Sequence, residues 1–263
     1  VAVAGPLAGG FAVRSFGFKT VILLSACLYF SATLVRVALA RLPAKPRAVG
    51  ASSPPGFGGS LKKIAAMVLA GGVVTWLLIS DGVRDIAMGL SGNLIPLFLQ
   101  EQRGLDAAGI GGLQALLGLA TMFVMIPAGH LSDRYGERVA IAAGYLSAFV
   151  AFMGFIFLPG KLATAISFIA FGLAMGILAP AYQSLISKAV PAHLRGIAFG
   201  FLSTSNGLIA LPAPLLGGLL WKSSGPRLPL LITAFALLLI VIPVWLKFRL
   251  PAVVPNAPQT NEP

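Results

Sequence analysis

The stretch AAGIGGLQALLGLATMFVMIPAGHLSDRYGERVAIAAGYLSAFVAFMGFIFLP at 107–159 holds most of two apolar runs, 106–128 and 138–159, on either side of the polar decapeptide GHLSDRYGER at 129–138. A helix needs about 20 mostly apolar residues to cross a bilayer, and each run has that length. Continuous apolar runs suit helices, which satisfy their own backbone groups, and not barrel strands, which alternate. Cutting outward at charged and Gly/Pro punctuation gives further runs at 163–187, 196–221 and 228–247, and before them 64–99, 18–40 and a truncated 1–13. The expected fold class is all-α, a polytopic membrane helix bundle.

Composition agrees. Hydrophobic residues make up 57% of the 263 and charged residues 10%, against about 45–50% and about 25% in soluble proteins. Mean hydropathy is +0.93, so the chain needs lipid as solvent. A single cysteine, Cys27, excludes an internal disulfide framework, and two histidines, His130 and His193, offer no metal cluster. The net charge of +12 comes from short clusters between apolar runs, the pattern of a membrane protein's cytoplasmic side and not of a nucleic-acid surface. No Gly-rich loop ends in Gly-Lys-Ser/Thr and no nucleophile motif flanks either histidine, so neither a nucleotide-driven pump nor an enzyme is expected.

The run 64–99 carries Asp81, Arg84 and Asp85 near its middle and reads either as one long helix or as two short spans. Loop charge separates the two. One helix places twelve basic residues, among them Arg134, Arg138, Lys188, Arg195 and Lys247, on one side and Arg14, Lys19, Arg103, Lys161, Lys222 and Arg227 on the other. Two spans flip every later loop and even out the distribution. One helix is therefore expected, with the C-terminus and a Pro/Gly/Ser linker at 42–62 cytoplasmic. The division is then 1–41, linker 42–62, a six-helix unit 63–249 and a polar, disordered tail 250–263.

GPLAGGFAVRSFGFKTVILL at 5–24 resembles APLLGGLLWKSSGPRLPLLI at 213–232 at a constant offset of 208. Pro6 matches Pro214, Gly9 and Gly10 match Gly217 and Gly218, Arg14 matches Lys222, Ser15 matches Ser223 and Gly17 matches Gly225. Gly5 opens the first copy. These small residues suit close helix packing. A repeat without inversion is the mark of two-halved transporters, and partners for residues 25–208 would precede Val1. The chain is thus expected to be a piece of a longer protein; a natural eight-helix protein is the alternative.

In GHLSDRYGER, Gly129, Leu131, Asp133, Arg134, Gly136 and Arg138 match the G-x-L-x-D-R-x-G-x-R signature of the major facilitator superfamily, and Glu137 stands where that family often has a basic residue. Pro191, Arg195 and Gly196 resemble its P-x-x-x-R-G turn. GPLAGG at 5–10 resembles a helix-five motif of drug–proton antiporters, and 93–118 is similar to the passage from helix seven into helix eight. The resemblance covers nearly the whole chain. It implies the end of helix five through helix twelve of a secondary transporter with alternating access. It also implies a conformational latch in the 129–138 loop, with Asp133 accepting from Arg134, Arg138 or a helix N-terminus and the glycines making the turn.

Ionisable residues at membrane depth default to function. Asp81, Arg84 and Asp85, at i, i+3 and i+4, share a helix face. Arg84 can neutralise one carboxylate and leave the other to bind a cation or titrate; a purely structural ion pair is the other reading. Asn93, Gln114, Tyr182, Gln183 and Asn206 are further candidates for substrate contact or interhelical hydrogen bonding. Trp221 and Trp245, near span ends, read as interfacial anchors.

The resemblance implies proton-coupled efflux of small organic molecules, powered by an ion gradient with no cofactor or metal. Uptake of a sugar or organic anion is the rival, and a non-transporting receptor or assembly protein the alternative of another class. Expected partners are the lipid bilayer, a small-molecule substrate and N-terminal helices of the same protein, with no nucleic acid. The expected location is a bacterial inner membrane. Residues 1–263 alone are not expected to transport.

Overall fold

A computed structural model describes residues 4–40, 59, 66, 68, 69 and 71–248. The linker expected at 42–62, Gly59 apart, and the tail at 250–263 lie outside the described residues. All regular structure among the described residues is helical: α1 (Ala4–Ala40), α2 (Val73–Ser91), α3 (Ile95–Arg103), α4 (Ala107–Tyr135), α5 (Glu137–Phe157), α6 (Lys161–Ala189), α7 (Arg195–Ala210), α8 (Ala213–Ser224) and α9 (Arg227–Lys247). Six stretches among them are long and apolar enough to cross a membrane.

The expected single helix over 64–99 is a broken course. After α2 a 3₁₀ turn at Gly92–Leu94 leads into α3, which runs on to Arg103. Pro96 explains the break, since it lacks an N–H and its ring clashes with the carbonyl four residues back, at Gly92. The course still crosses the bundle once. At one end Arg103 donates to the carbonyls of Phe155 (3.1 Å) and Leu158 (2.8 Å) at the end of α5. At the other, Trp76 lies under the Lys247 ammonium at the end of α9, 5.5 Å from the ring centroid. Likewise the span expected over 196–221 is interrupted at Leu211–Pro212, between α7 and α8.

The spans expected at 1–13 and 18–40 are two helical segments of α1 that meet at a kink at Gly17, φ 77° and ψ 164°. Gly225, its repeat equivalent, ends α8 at φ 88° and ψ 169°. The two copies therefore share a backbone turn at the same position.

Their packing glycines do not coincide. A Cβ on Gly10 would lie 2.9 Å from the Ala107 carbonyl oxygen, tying α1 to α4, and one on Gly217 would overlap the Leu90 carbonyl, tying α8 to α2. Gly5, Gly9 and Gly218 have open space instead.

Small residues set the tightest contacts elsewhere. A Cβ on Gly144 of α5 would sit 2.7 Å from Leu178 of α6, and one on Gly172 of α6 2.8 Å from Ala120 of α4. Hydroxyls bridge the same two seams and a third: Ser147 donates to the Ala170 carbonyl (2.8 Å), Thr121 to that of Gly172 (3.0 Å), and Thr233 of α9 to that of Ala87 in α2 (2.6 Å). Without a hydrophobic force between helices in lipid, close packing and such bonds carry the assembly. Phe152, Phe155, Phe168 and Phe171 fill the α5–α6 seam with edge-on ring pairs.

Gly217→Ala is expected to destabilise the protein by about 1–3 kcal/mol through overpacking against α2, whereas Gly218→Ala should be near neutral. Thermal unfolding of both variants in detergent checks the contrast.

Candidate functional site

Asp81, Arg84 and Asp85 sit in the middle of α2, in the first half of the α2–α3 course. Their i, i+3, i+4 spacing folds Arg84 back between the carboxylates: an Arg84 terminal nitrogen lies 2.7 Å from Asp81 Oδ1, while its Nε (3.0 Å) and other terminal nitrogen (2.8 Å) both donate to Asp85 Oδ1. The Asp81 contact is close but off hydrogen-bond geometry. Asp81 is buried and Asp85 half-buried.

Tyr182 of α6 lies under the Arg84 guanidinium, 5.4 Å from ring centroid to Cζ, and shares a 2.7 Å hydrogen bond with the hydroxyl of Tyr145 from α5. From α7, Asn206 turns its Oδ1 toward Gly82, 3.7 Å from where a Cβ would stand. Ser80 Oγ, Asp81 Oδ1 and Asn206 Oδ1 are buried without a hydrogen-bond partner among the described residues. The cluster carries one cation and two anions, and it keeps acceptor capacity for a cation or donor.

The structure thus gathers Tyr182 and Asn206 around the three charges. Asn93, Gln114 and Gln183 lie apart. Asn93 is exposed on the 3₁₀ turn and Gln183 exposed on α6. Gln114 lines a cavity of about 380 Å³ with Gly10, Phe18, Pro96, Gln100 and Ile110. Tyr145 was not among the sequence candidates; a tyrosine inside an apolar run was the signal, the same one that flagged Tyr182.

The 129–138 segment departs from the expected loop. α4 runs on helically through GHLSDRY to Tyr135, and the turn shrinks to Gly136, at φ 87° and ψ 154°. That backbone region is essentially restricted to glycine. Gly129 is inside the helix with open space around it, so no turn requires it.

Nor do the charges pair as expected. Asp133 is exposed, and no ion pair joins it to a described residue. Arg134 covers the Tyr135 ring at 5.3 Å and Arg138 the Trp245 ring at 4.6 Å. Arg195 Nε donates to the Val190 carbonyl at the end of α6, 3.3 Å away. The buried carboxylate of this segment is Glu137, paired with Lys188 and accepting from Ser184 at 3.0 Å, both on α6. The segment's ion pair therefore clips the start of α5 to the end of α6. Sequence reading passed over it because Glu137 and Lys188 lie 51 residues apart.

A family model described as the Major Facilitator Superfamily matches residues 1–214 and, in an overlapping match, 85–263. The chain belongs to the Major Facilitator Superfamily. It is 27% identical to the multidrug resistance protein MdtG of Klebsiella pneumoniae (strain 342) over 99% of this chain and 62% of that protein. Identity to MdtG of Dickeya zeae (strain Ech586) is 26%, over 94% and 60%. For the uncharacterized MFS-type transporter YuxJ of Bacillus subtilis (strain 168) it is 24%, over 94% and 62%. The superfamily chain thus spans about three-fifths of the length of these relatives.

Gly136→Ala should strain the α4–α5 junction by about 1–3 kcal/mol. Lys188→Met should destabilise more than Glu137→Gln, by roughly 1 kcal/mol, because it leaves a buried carboxylate without its counter-charge. Thermal unfolding of the three variants measures both effects.

Proposed function

We propose that the whole protein is a secondary transporter exporting small organic molecules, driven by a proton gradient across a bacterial inner membrane. Membership in the superfamily and relatives named for multidrug resistance support the class. The observation that carries the reading is the ion cluster on α2: three ionisable side chains inside a helical course that crosses the bundle, with Tyr182 and Asn206 beside them. Purely structural neutralisation needs one carboxylate per guanidinium. Here there are two, so one negative charge is left for a proton or a cationic group.

Uptake of an organic anion is disfavoured by the same geometry. Arg84 is engaged by both carboxylates and covered by Tyr182, which leaves it poorly placed to anchor an anion. The alternating-access mechanism rocks two halves about this site. On this reading, helices of a first half of the whole protein supply the other wall. The excess of basic residues on the linker side supports a cytoplasmic linker and C-terminus.

Asp81→Asn, Arg84→Gln and Asp85→Asn, made singly in the whole protein, test the reading. Proton-driven efflux is expected to fall about tenfold or more with membrane expression unchanged. Loss of expression alone would mark the cluster as structural. Unaltered efflux in all three would contradict the proposed site.

A further inference from the structure

We propose that the outer edge between α5 and α9, at the Arg138 end, is a binding site for the phosphate of an anionic phospholipid. Arg138 opens α5 and lies flat over Trp245 near the end of α9, 4.6 Å from guanidinium carbon to ring centroid. Stacking occupies a face of the guanidinium and leaves its in-plane N–H fork available. That fork matches two phosphate oxygens, which an ammonium cannot do. No carboxylate among the described residues pairs with Arg138: Asp133 makes no ion pair with it, and Glu137 is taken by Lys188.

The electrostatics of this end favour an anion. Arg134, Arg138, Lys188, Arg195 and Lys247 face only Asp133 and Glu137 as carboxylates among the described residues. Trp245 is 47% exposed, so the stacked pair stands at the surface.

The apolar surface beside it selects a lipid over a free phosphate. Leu146 and Val150 of α5 and Leu239, Ile242 and Leu246 of α9 are exposed large hydrophobics running from the Arg138 end toward the middle of the bundle. Phe149 and the exposed Phe235 pair across the same α5–α9 seam, with ring centroids 6.1 Å apart. A headgroup phosphate on Arg138 would lay its acyl chains along this edge. α1 packs on α4, not here. Anionic lipid is concentrated where juxtamembrane basic clusters sit, which agrees with placing this end on the cytoplasmic side.

The test is native mass spectrometry of the whole protein released from detergent with phosphatidylglycerol or phosphatidylethanolamine. Retention of phosphatidylglycerol is expected to exceed that of phosphatidylethanolamine. It should weaken about fivefold in Arg138→Ala, weaken measurably in Arg138→Lys, which keeps the charge but loses the fork, and stay unchanged in Lys222→Ala at the opposite end. Should Arg138→Ala fold poorly, Trp245→Phe, which keeps a ring, is expected to retain the lipid, and Trp245→Ala to lose it. Equal retention of the two lipids, equal retention in wild type and Arg138→Lys, or displacement by millimolar inorganic phosphate would overturn the proposal.

Discussion

Three charges on one face of α2 have to be answered inside the protein, because hydrocarbon offers them neither water nor counter-ions. That constraint organises the bundle around α2. Arg84 folds between Asp81 and Asp85, Tyr182 shields it from the α6 side, and Asn206 closes the α7 side. α9 and α8 then hold α2 in place, the first through the Thr233 hydroxyl and the second through Gly217 against the Leu90 carbonyl. Where most membrane helices are exchangeable apolar rods, this one is not.

Away from α2 a different economy operates. Glycines at the α4–α6 and α5–α6 crossings bring backbones together, and hydroxyls donate across the seams. Away from α2, the charged contacts among the described residues gather at two ends. At one, Arg103 caps the carbonyls that finish α5. At the other, basic side chains lie on aromatic rings and Glu137 holds Lys188. The family's signature segment belongs to this second end. Its first half is helix, its turn is one glycine, and it is secured through α6 and α9.

The helical membrane class and the family were legible from apolar run length and from six spaced residues in GHLSDRYGER. So was the face shared by Asp81, Arg84 and Asp85, because helical spacing is local. What sequence reading missed was set by partners far along the chain. Tyr145 meets Tyr182 across 37 residues, and Glu137 meets Lys188 across 51. Nothing in a single run shows which polar side of a helix will be turned inward, and so Asn93 and Gln183 read the same as Asn206. Loop lengths were overestimated at 14–17, where only Gly17 leaves the helical conformation, and at 129–138, where the helix continues to Tyr135, because charged residues look like loop. Pro96 and Pro212 were visible but not used, and both mark breaks.

On the proposed function, the cluster on α2 faces a solute pathway and is not sealed by packing. Replacing Asn206 by cysteine in the whole protein, in a background cleared of every other cysteine including Cys27, and following its reaction with a small hydrophilic thiol reagent tests this. Labelling that an exported solute slows is expected. No labelling in membranes under any gradient, with the variant folded and still exporting, would contradict it.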